Sequence, residues 1–300
     1  MKNADSLQRF LFENTPIRGE LVHLNHSFSE MLDQHKYSPL AQKLLGEALV
    51  LVSLLSAIVK FKGRMTLQFQ SKGKLKLLLT QCNDDLQMRG LVQSAESMTD
   101  AELIENFREG VLVIIMDPEK SGKRYQGVVS WKGDSLAQSV EGYFQDSEQL
   151  LTRIWVAVGE NQAAGLLLQK MPGETGSHDD ASADEEAARQ WEHLVHLTST
   201  ITPAELLGLE NEVLLHRLYV EEDVRIFELQ PTMFLCTCSV EKGENAILML
   251  GKEEAEEELA NHQVIDVTCE FCNRKFSFDR VDVTKIFYKG GSNPPSTEIH

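Results

Sequence analysis

The sequence predicts an α+β fold in three parts: an N-terminal domain (residues 1–172) built on a mainly antiparallel sheet packed with helices, an acidic helical linker (173–230), and a small C-terminal domain (231–300) organised by cysteines. Three observations carry this reading. Runs of alternating apolar and polar residues, joined by short turns, fill the first half. A stretch of Gly, Ser, Ala, Asp and Glu follows Met171-Pro172-Gly173. Four of the five cysteines cluster near the C-terminus as Cys236-x-Cys238 and Cys269-x-x-Cys272.

In chain order, Ile17 to Leu24 reads as a strand. Ser38-Pro39 starts a helix, with proline at the first helical position, and the apolar run to Val59 follows. Met65 to Gln70, Leu75 to Cys82 and Leu86 to Gln93 form a meander turning at Ser71-Lys72-Gly73 and Asn83-Asp84-Asp85. Val111 to Met116 and Tyr125 to Trp131 make a hairpin around Asp117-Pro118. A helix over about Ser135 to Phe144 and strands at Ile154 to Val158 and Gly165 to Gln169 complete the domain.

Glu174 to Glu186 reads as a disordered or frayed connection. Helical spacing returns over Glu185 to Leu197, Thr202-Pro203-Ala204-Glu205 is a capping box, and Leu214, Leu215, Leu218 and Tyr219 line one face of a third helix. Helices this short are marginal in water, so residues 173–230 are expected to be ordered only when docked. In the last part, Thr232 to Leu235 is extended, and Ile247 to Leu250 and Glu253 to Leu259 are short helices. Val264 to Thr268 leads through Cys269-Glu270-Phe271-Cys272 to a strand bearing Phe276 and Phe278, which is the pattern of a zinc knuckle.

Composition narrows the function. The net charge is −17, and residues 173–230 alone hold 14 acidic against 3 basic side chains. Such a chain disfavours a phosphate backbone, so nucleic acid is not an expected partner. The apolar run Ala48 to Val59 is too short to span a bilayer, so no membrane role is expected. Met1 to Asp5 holds no apolar signal region, and the expected location is the cytoplasm. Thiols are kept reduced there, which favours metal binding or redox sensing over structural disulfides.

Two close thiol pairs separated by thirty residues suit one tetrahedral Cys₄ zinc site per chain, with Cys236, Cys238, Cys269 and Cys272 as ligands. Structural zinc contributes roughly 10–16 kcal/mol to the folding of a small domain. One reading stops there, at a structural zinc ribbon. Another makes the site a sensor: an oxidised thiolate condenses with a neighbouring thiol, and Cys236–Cys238 and Cys269–Cys272 are the adjacent partners. Bridging them removes the ligands, and the metal's folding energy is lost with them.

Other residues carry less. Cys82 lies on an apolar strand as a core thiol, His193 and His196 sit on a solvated helix face, and Met65, Met88 and Met116 are core. Glu253 to Glu258 is a solvated face, and Arg274, Lys275 and Arg280 give the knuckle a basic edge. No phosphate-binding glycine loop and no catalytic constellation is present, so no enzyme is expected. Two rival classes remain. A zinc-ribbon nucleic-acid binder would need a basic face, and a thiol–disulfide oxidoreductase would place C-x-x-C at a helix N-terminus.

Glu221-Glu222-Asp223-Val224-Arg225-Ile226-Phe227, Phe234-Leu235-Cys236-Thr237-Cys238-Ser239 and Val267-Thr268-Cys269-Glu270-Phe271-Cys272-Asn273 closely resemble the heat-shock protein 33 family of bacterial redox-regulated chaperones. So do Arg18-Gly19, Leu44-Leu45-Gly46-Glu47-Ala48 and Gly165-Leu166-Leu167-Leu168-Gln169, so the resemblance spans the chain. It departs at Leu229 and Val240, in place of the expected proline and arginine, which touches local rigidity and charge. The resemblance implies an ATP-independent holdase, inactive when reduced and zinc-bound. Oxidation would form two disulfides, release zinc, and unfold the zinc domain and linker. The implied partners are unfolding clients, a second copy in an oxidised homodimer, and ATP-dependent foldases downstream.

Overall fold

The computed structural model describes residues 5–59, 62–95, 97–119, 122–172 and 181–290. Two compact units divide the chain, Met1–Leu235 and Cys236–His300.

The first unit opens with β1 (Ser6–Phe12) and β2 (Ile17–Leu24), then α1 (His26–Asp33) and α2 (Pro39–Ile58). Asp5 caps α1, its carboxylate accepting from the Asn25 and Ser27 N–H groups. Ser38 caps α2, with Oγ accepting from the Ala41 N–H, as Ser38-Pro39 predicts. The meander is β3 (Gly63–Gln70), β4 (Leu75–Asn83) and β5 (Gln87–Ser94). After α3 (Asp100–Glu109) come β6 (Val111–Pro118), β7 (Tyr125–Val129), α4 (Leu136–Tyr143) with a π-helical turn, β8 (Thr152–Val158) and β9 (Ala163–Lys170).

The strands of this unit form two six-stranded sheets rather than the one expected from sequence. The first runs β1-β2-β9-β8 and the second β5-β4-β3-β6-β7; short strands described below complete each. Within these two runs every neighbouring pair is antiparallel. Between the sheets lies α2, with 15 of its 20 residues buried. It passes the length and hydropathy test for a membrane span, yet 83% of that window is buried in the protein. A helix apolar all round is a core helix. Gly165 lets α2 approach closely, since a Cβ there would meet Val50 at 2.3 Å. At the C-terminal end of α2 the Arg9 and Arg18 guanidiniums donate to the Ala57 and Ile58 carbonyls, where cations are favoured. Glu20 lies buried beside them. Burial pushes its carboxyl up to about 8, against the pull of both arginines.

The outer face of the first sheet is covered by α5 (Ala181–Thr198), α6 (Pro203–Gly208) and α7 (Asn211–Leu218). Part of the connection expected to be frayed, Ala181 to Glu186, is therefore helical. Glu185 and Glu186, followed by Ala187 and Ala188, favour that helix and its dipole. Residues 173–180 lie outside the described residues. The Thr202 capping box is formed as predicted. So is the buried face Leu214, Leu215, Leu218 and Tyr219, joined by Trp191, Leu194 and Leu206. Beyond α7, β10 (Val224–Ile226) and β11 (Gln230–Pro231) pair antiparallel with β1, and β12 (Met233–Phe234) pairs parallel with β5.

In the second unit, α8 (Val240–Leu250), α9 (Lys252–His262) and α10 (Arg280–Gly290) surround the hairpin of β13 (Val264–Thr268) and β14 (Lys275–Asp279). Its core is Ile247, Ala255, Leu259, Ile265, Phe278, Val283 and Ile286.

Candidate metal centre

Cys236 and Cys238 lie on the extended chain before α8, which Ser239 caps through Oγ to the Lys242 N–H. The Lys242 ammonium folds back onto the Thr237 carbonyl at 2.8 Å, fixing the residue between the two thiols. The other pair occupies the β13–β14 turn. The Cys269 N–H donates to the Arg274 carbonyl at 2.9 Å, and the Asn273 N–H to the Cys269 carbonyl at 2.8 Å. Asn273 takes a left-handed conformation, φ 52°, which asparagine tolerates better than most side chains. Strand, C-x-x-C turn and aromatic-bearing strand thus form the knuckle expected from sequence.

The four sulfurs converge. Cys236 Sγ lies 3.6 Å from Cys269 Sγ, Cys238 Sγ lies 3.5 Å from Cys272 Sγ, and all four fall within 4.8 Å of one another. A tetrahedron of Zn–S bonds near 2.3 Å has sulfur edges of about 3.8 Å, so the donor set fits that ion. All four residues are half-buried. Both of these contacts run across the two motifs.

Their ionisation is linked. Burial opposes ionisation of Cys236, but the Cys238 backbone N–H and the three neighbouring thiols outweigh it and hold Cys236 below the ordinary thiol value. Burial pushes Cys272 up to about 12, helped by its bonds to Cys236, Cys238 and Cys269. Burial, then the bond to Cys236 and the charges of Cys236 and Cys269, raise Cys238. Cys236 thus ionises more easily than Cys238, and its charge opposes ionisation there. A divalent cation relieves that repulsion, so binding displaces protons.

The remaining candidates stay apart from this cluster. Cys82 is fully buried and its thiol is pushed up to about 12 by burial, the mark of a core side chain. His193 is exposed and meets Glu222 at 2.9 Å. Among the described residues, the four cysteines are the single group of three or more potential ligands arranged to hold a metal. Two features of the first unit carry no motif that sequence inspection could have used. His23 is buried on β2 with Nε2 at 2.8 Å from the Leu206 carbonyl, and residues 224–235 edge both sheets.

Comparison with known proteins agrees with this geometry. The Hsp33 protein family model matches residues 5–279. The 33 kDa chaperonin of Pseudomonas aeruginosa strain LESB58 is 45% identical over the full length of both chains, and that of Azotobacter vinelandii 43% identical, again over both full lengths. The crystal structure of the Thermotoga maritima 33 kDa chaperonin superposes with a TM-score of 0.79, covering 96% of this chain and all of that one. At 20% identity it speaks for the fold. With the family model spanning nearly the whole chain and relatives this similar along their full length, the chain belongs to the Hsp33 family of 33 kDa chaperonins.

Proposed function

We propose that the protein is a redox-regulated, ATP-independent holdase of the cytoplasm. The observation that carries this is four thiols within 4.8 Å of one another in a unit whose buried core, among the described residues, holds seven apolar side chains. In the reduced state Cys236, Cys238, Cys269 and Cys272 would hold one Zn²⁺, which supplies folding energy that so small a core lacks.

Peroxide is the simplest oxidant for the switch. A thiolate attacks one peroxide oxygen, giving a sulfenic acid and releasing water after proton uptake. The adjacent thiol then displaces a second water and closes the disulfide. Two peroxides convert four thiols into Cys236–Cys238 and Cys269–Cys272 with four waters formed. The close cross-motif contacts favour neither pairing, so this assignment rests on sequence adjacency. Loss of the ligands removes the metal's contribution, and residues 231–300 unfold as the zinc-binding switch.

Residues 173–230 are the linker of this scheme, and 1–172 the stable core and dimerisation domain. The linker helices are acidic and two of them are short, and release would bare the apolar face of the first sheet. The bared surface would bind unfolding or misfolded proteins in an oxidised homodimer, for later transfer to ATP-dependent foldases. Neither nucleic acid nor membrane has a place in this scheme.

The test is light scattering of a chemically unfolded client diluted without ATP. Zinc-loaded reduced protein is compared with protein treated with peroxide under mild heat. The expected result is suppression of aggregation only after oxidation, reversed by dithiothreitol. Equal behaviour of the two forms would reduce the thiols to a structural site.

A further inference from the structure

The edges of the two sheets are closed in different ways. At one edge of the first sheet, the β8 N–H of Ile154 is taken by the Glu141 carboxylate of α4 at 2.7 Å. At this position that edge is blocked by a helix side chain. At one edge of the second sheet lies β7, only five residues long. Short strands and inward-reaching carboxylates are standard means of blunting an edge.

The opposite edges, β1 and β5, are closed by one stretch of chain. β10 sets Ile226, Arg225 and Val224 against Phe10, Leu11 and Phe12, and β11 continues along β1. After Thr232 the same stretch crosses to β5, where Met233 and Phe234 face Gln87 and Met88 in parallel register. The main-chain bonds are plain: Glu13 N–H to Asp223 at 2.9 Å, Phe227 N–H to Arg9 at 3.0 Å, and Leu235 N–H to Met88 at 2.9 Å. By contrast, Ile226, Phe227, Leu229, Met233 and Leu235 are each 39–52% exposed. Val224 and Phe234 pack against the cores, but these five large apolar side chains do not, so much of the strap is held through its backbone. The Arg225–Glu13 ion pair and the buried Thr232 add local anchors. Leu235 is followed directly by Cys236.

From these facts we infer that β1 and β5 are strand-addition sites for unfolding clients, masked in this state by residues 224–235. The inference rests on the activity proposed above, since it requires the strap to leave when the switch unfolds. Its departure strands the Arg9 and Met88 carbonyls and the Glu13 N–H on open edges. Such edges pair with any extended chain, because the bonds use groups common to all residues. Side chains matter little to that pairing, which suits a protein that must accept many sequences. The edges also accommodate both directions: the strap runs antiparallel on β1 and parallel on β5. When the switch refolds, the strap competes for the same bonds, and client release follows from its return.

The test uses the oxidised full-length protein with a fluorescent twelve-residue apolar peptide. A counterpart of identical side chains carries a methyl on every backbone nitrogen. Binding is read by anisotropy, and hydrogen exchange is followed at the Glu13 amide. The expected result is at least tenfold weaker binding of the methylated peptide. The Glu13 amide should exchange fast after oxidation and slow again when the unmethylated peptide binds. Equal affinities, no binding of either peptide, or an amide that stays fast when peptide is bound would overturn the inference. So would an amide already protected by a second copy in the oxidised protein. Failure of the oxidised protein to suppress client aggregation would instead overturn the activity, and is read separately.

Discussion

Leu166 and Leu167 are neighbours on β9, and both are fully buried, but what buries them is different in kind. Leu167 faces inward against α2, a single 20-residue helix clasped between two sheets. Leu166 faces outward beneath α5, α6 and α7, of 18, 6 and 8 residues, from the most acidic part of the chain. Pairing with α2 is irreplaceable, because α2 supplies the core of both sheets. Two of the outer cover's three helices, α6 and α7, are too short to persist alone, so their order is borrowed from the sheet. Burial alone does not distinguish a permanent core from a removable one. Whether the covering element is clasped between two sheets or docked on one face does, and regions that open first are drawn from such one-sided covers.

Paired truncations would test that contrast most strongly. Leu49, fully buried on α2, and Leu215, 1% exposed on α7, are chemically alike. Leu49→Ala is expected to cost about 3–4 kcal/mol and to lower the denaturation midpoint of the whole first unit. Leu215→Ala is expected to cost about 2–3 kcal/mol locally. It should speed proteolysis within α5–α7 while leaving the denaturation midpoint of the sheets nearly unchanged. If both variants lowered that midpoint equally, the outer cover would be core like any other.

The contrast was partly legible in the sequence. The Ser38-Pro39 start, the apolar run behind it and the four cysteine positions came through because each is a local signal. The Thr99-x-x-Glu102 capping box of α3 and the reciprocal Asp279–Asp282 bonds opening α10 are equally local signals, outside the elements expected from sequence. β1 was less accessible. Its residues are buried on both faces, so Ser6 to Phe12 shows no clean alternation. β10, β11 and β12 are two or three residues long and exist only because β1 and β5 offer edges. Short strands defined by distant partners leave little trace in their own residues. The division into two sheets was hidden for the same reason, since sheet membership is a long-range property.

A smaller perturbation addresses how the cover is pinned. Tyr219 packs edge-on to Phe12 with centroids 4.8 Å apart, and its hydroxyl meets Thr198 Oγ1 at 2.6 Å. Thr198 also donates to the Leu194 carbonyl, so Tyr219 is the donor to Thr198. One buried bond thus ties the end of α7 to the end of α5. Tyr219→Phe keeps the ring and removes that bond, for an expected local cost of about 0.5–1.5 kcal/mol. Amide exchange in α5 and α7 should quicken, with no change in α2. Unaltered exchange in all three helices would mean that ring packing alone holds the two ends.

The subtlest effect vanishes at neutral pH and grows on acidification. His23 Nε2 lies 2.8 Å from the Leu206 carbonyl, which can only accept, so Nε2 carries the proton. Nδ1 is buried without a partner beside Asn211, whose Nδ2 is likewise unpaired. Burial holds the imidazole below its ordinary value of 6.5, outweighing the contributions of Leu206 and Asn211 in the other direction. A histidine depressed in the docked state stabilises docking fully above the unfolded value, and that stabilisation is lost as the pH falls below it. Proteolysis of α6 and α7 is therefore expected to be constant from pH 8 to 7 and to rise from pH 6.5 to 5. Gln can still donate to Leu206 but does not titrate, so His23→Gln should flatten the profile. A variant that kept the full acid response would place the proton uptake elsewhere, and His23 would be an ordinary core residue.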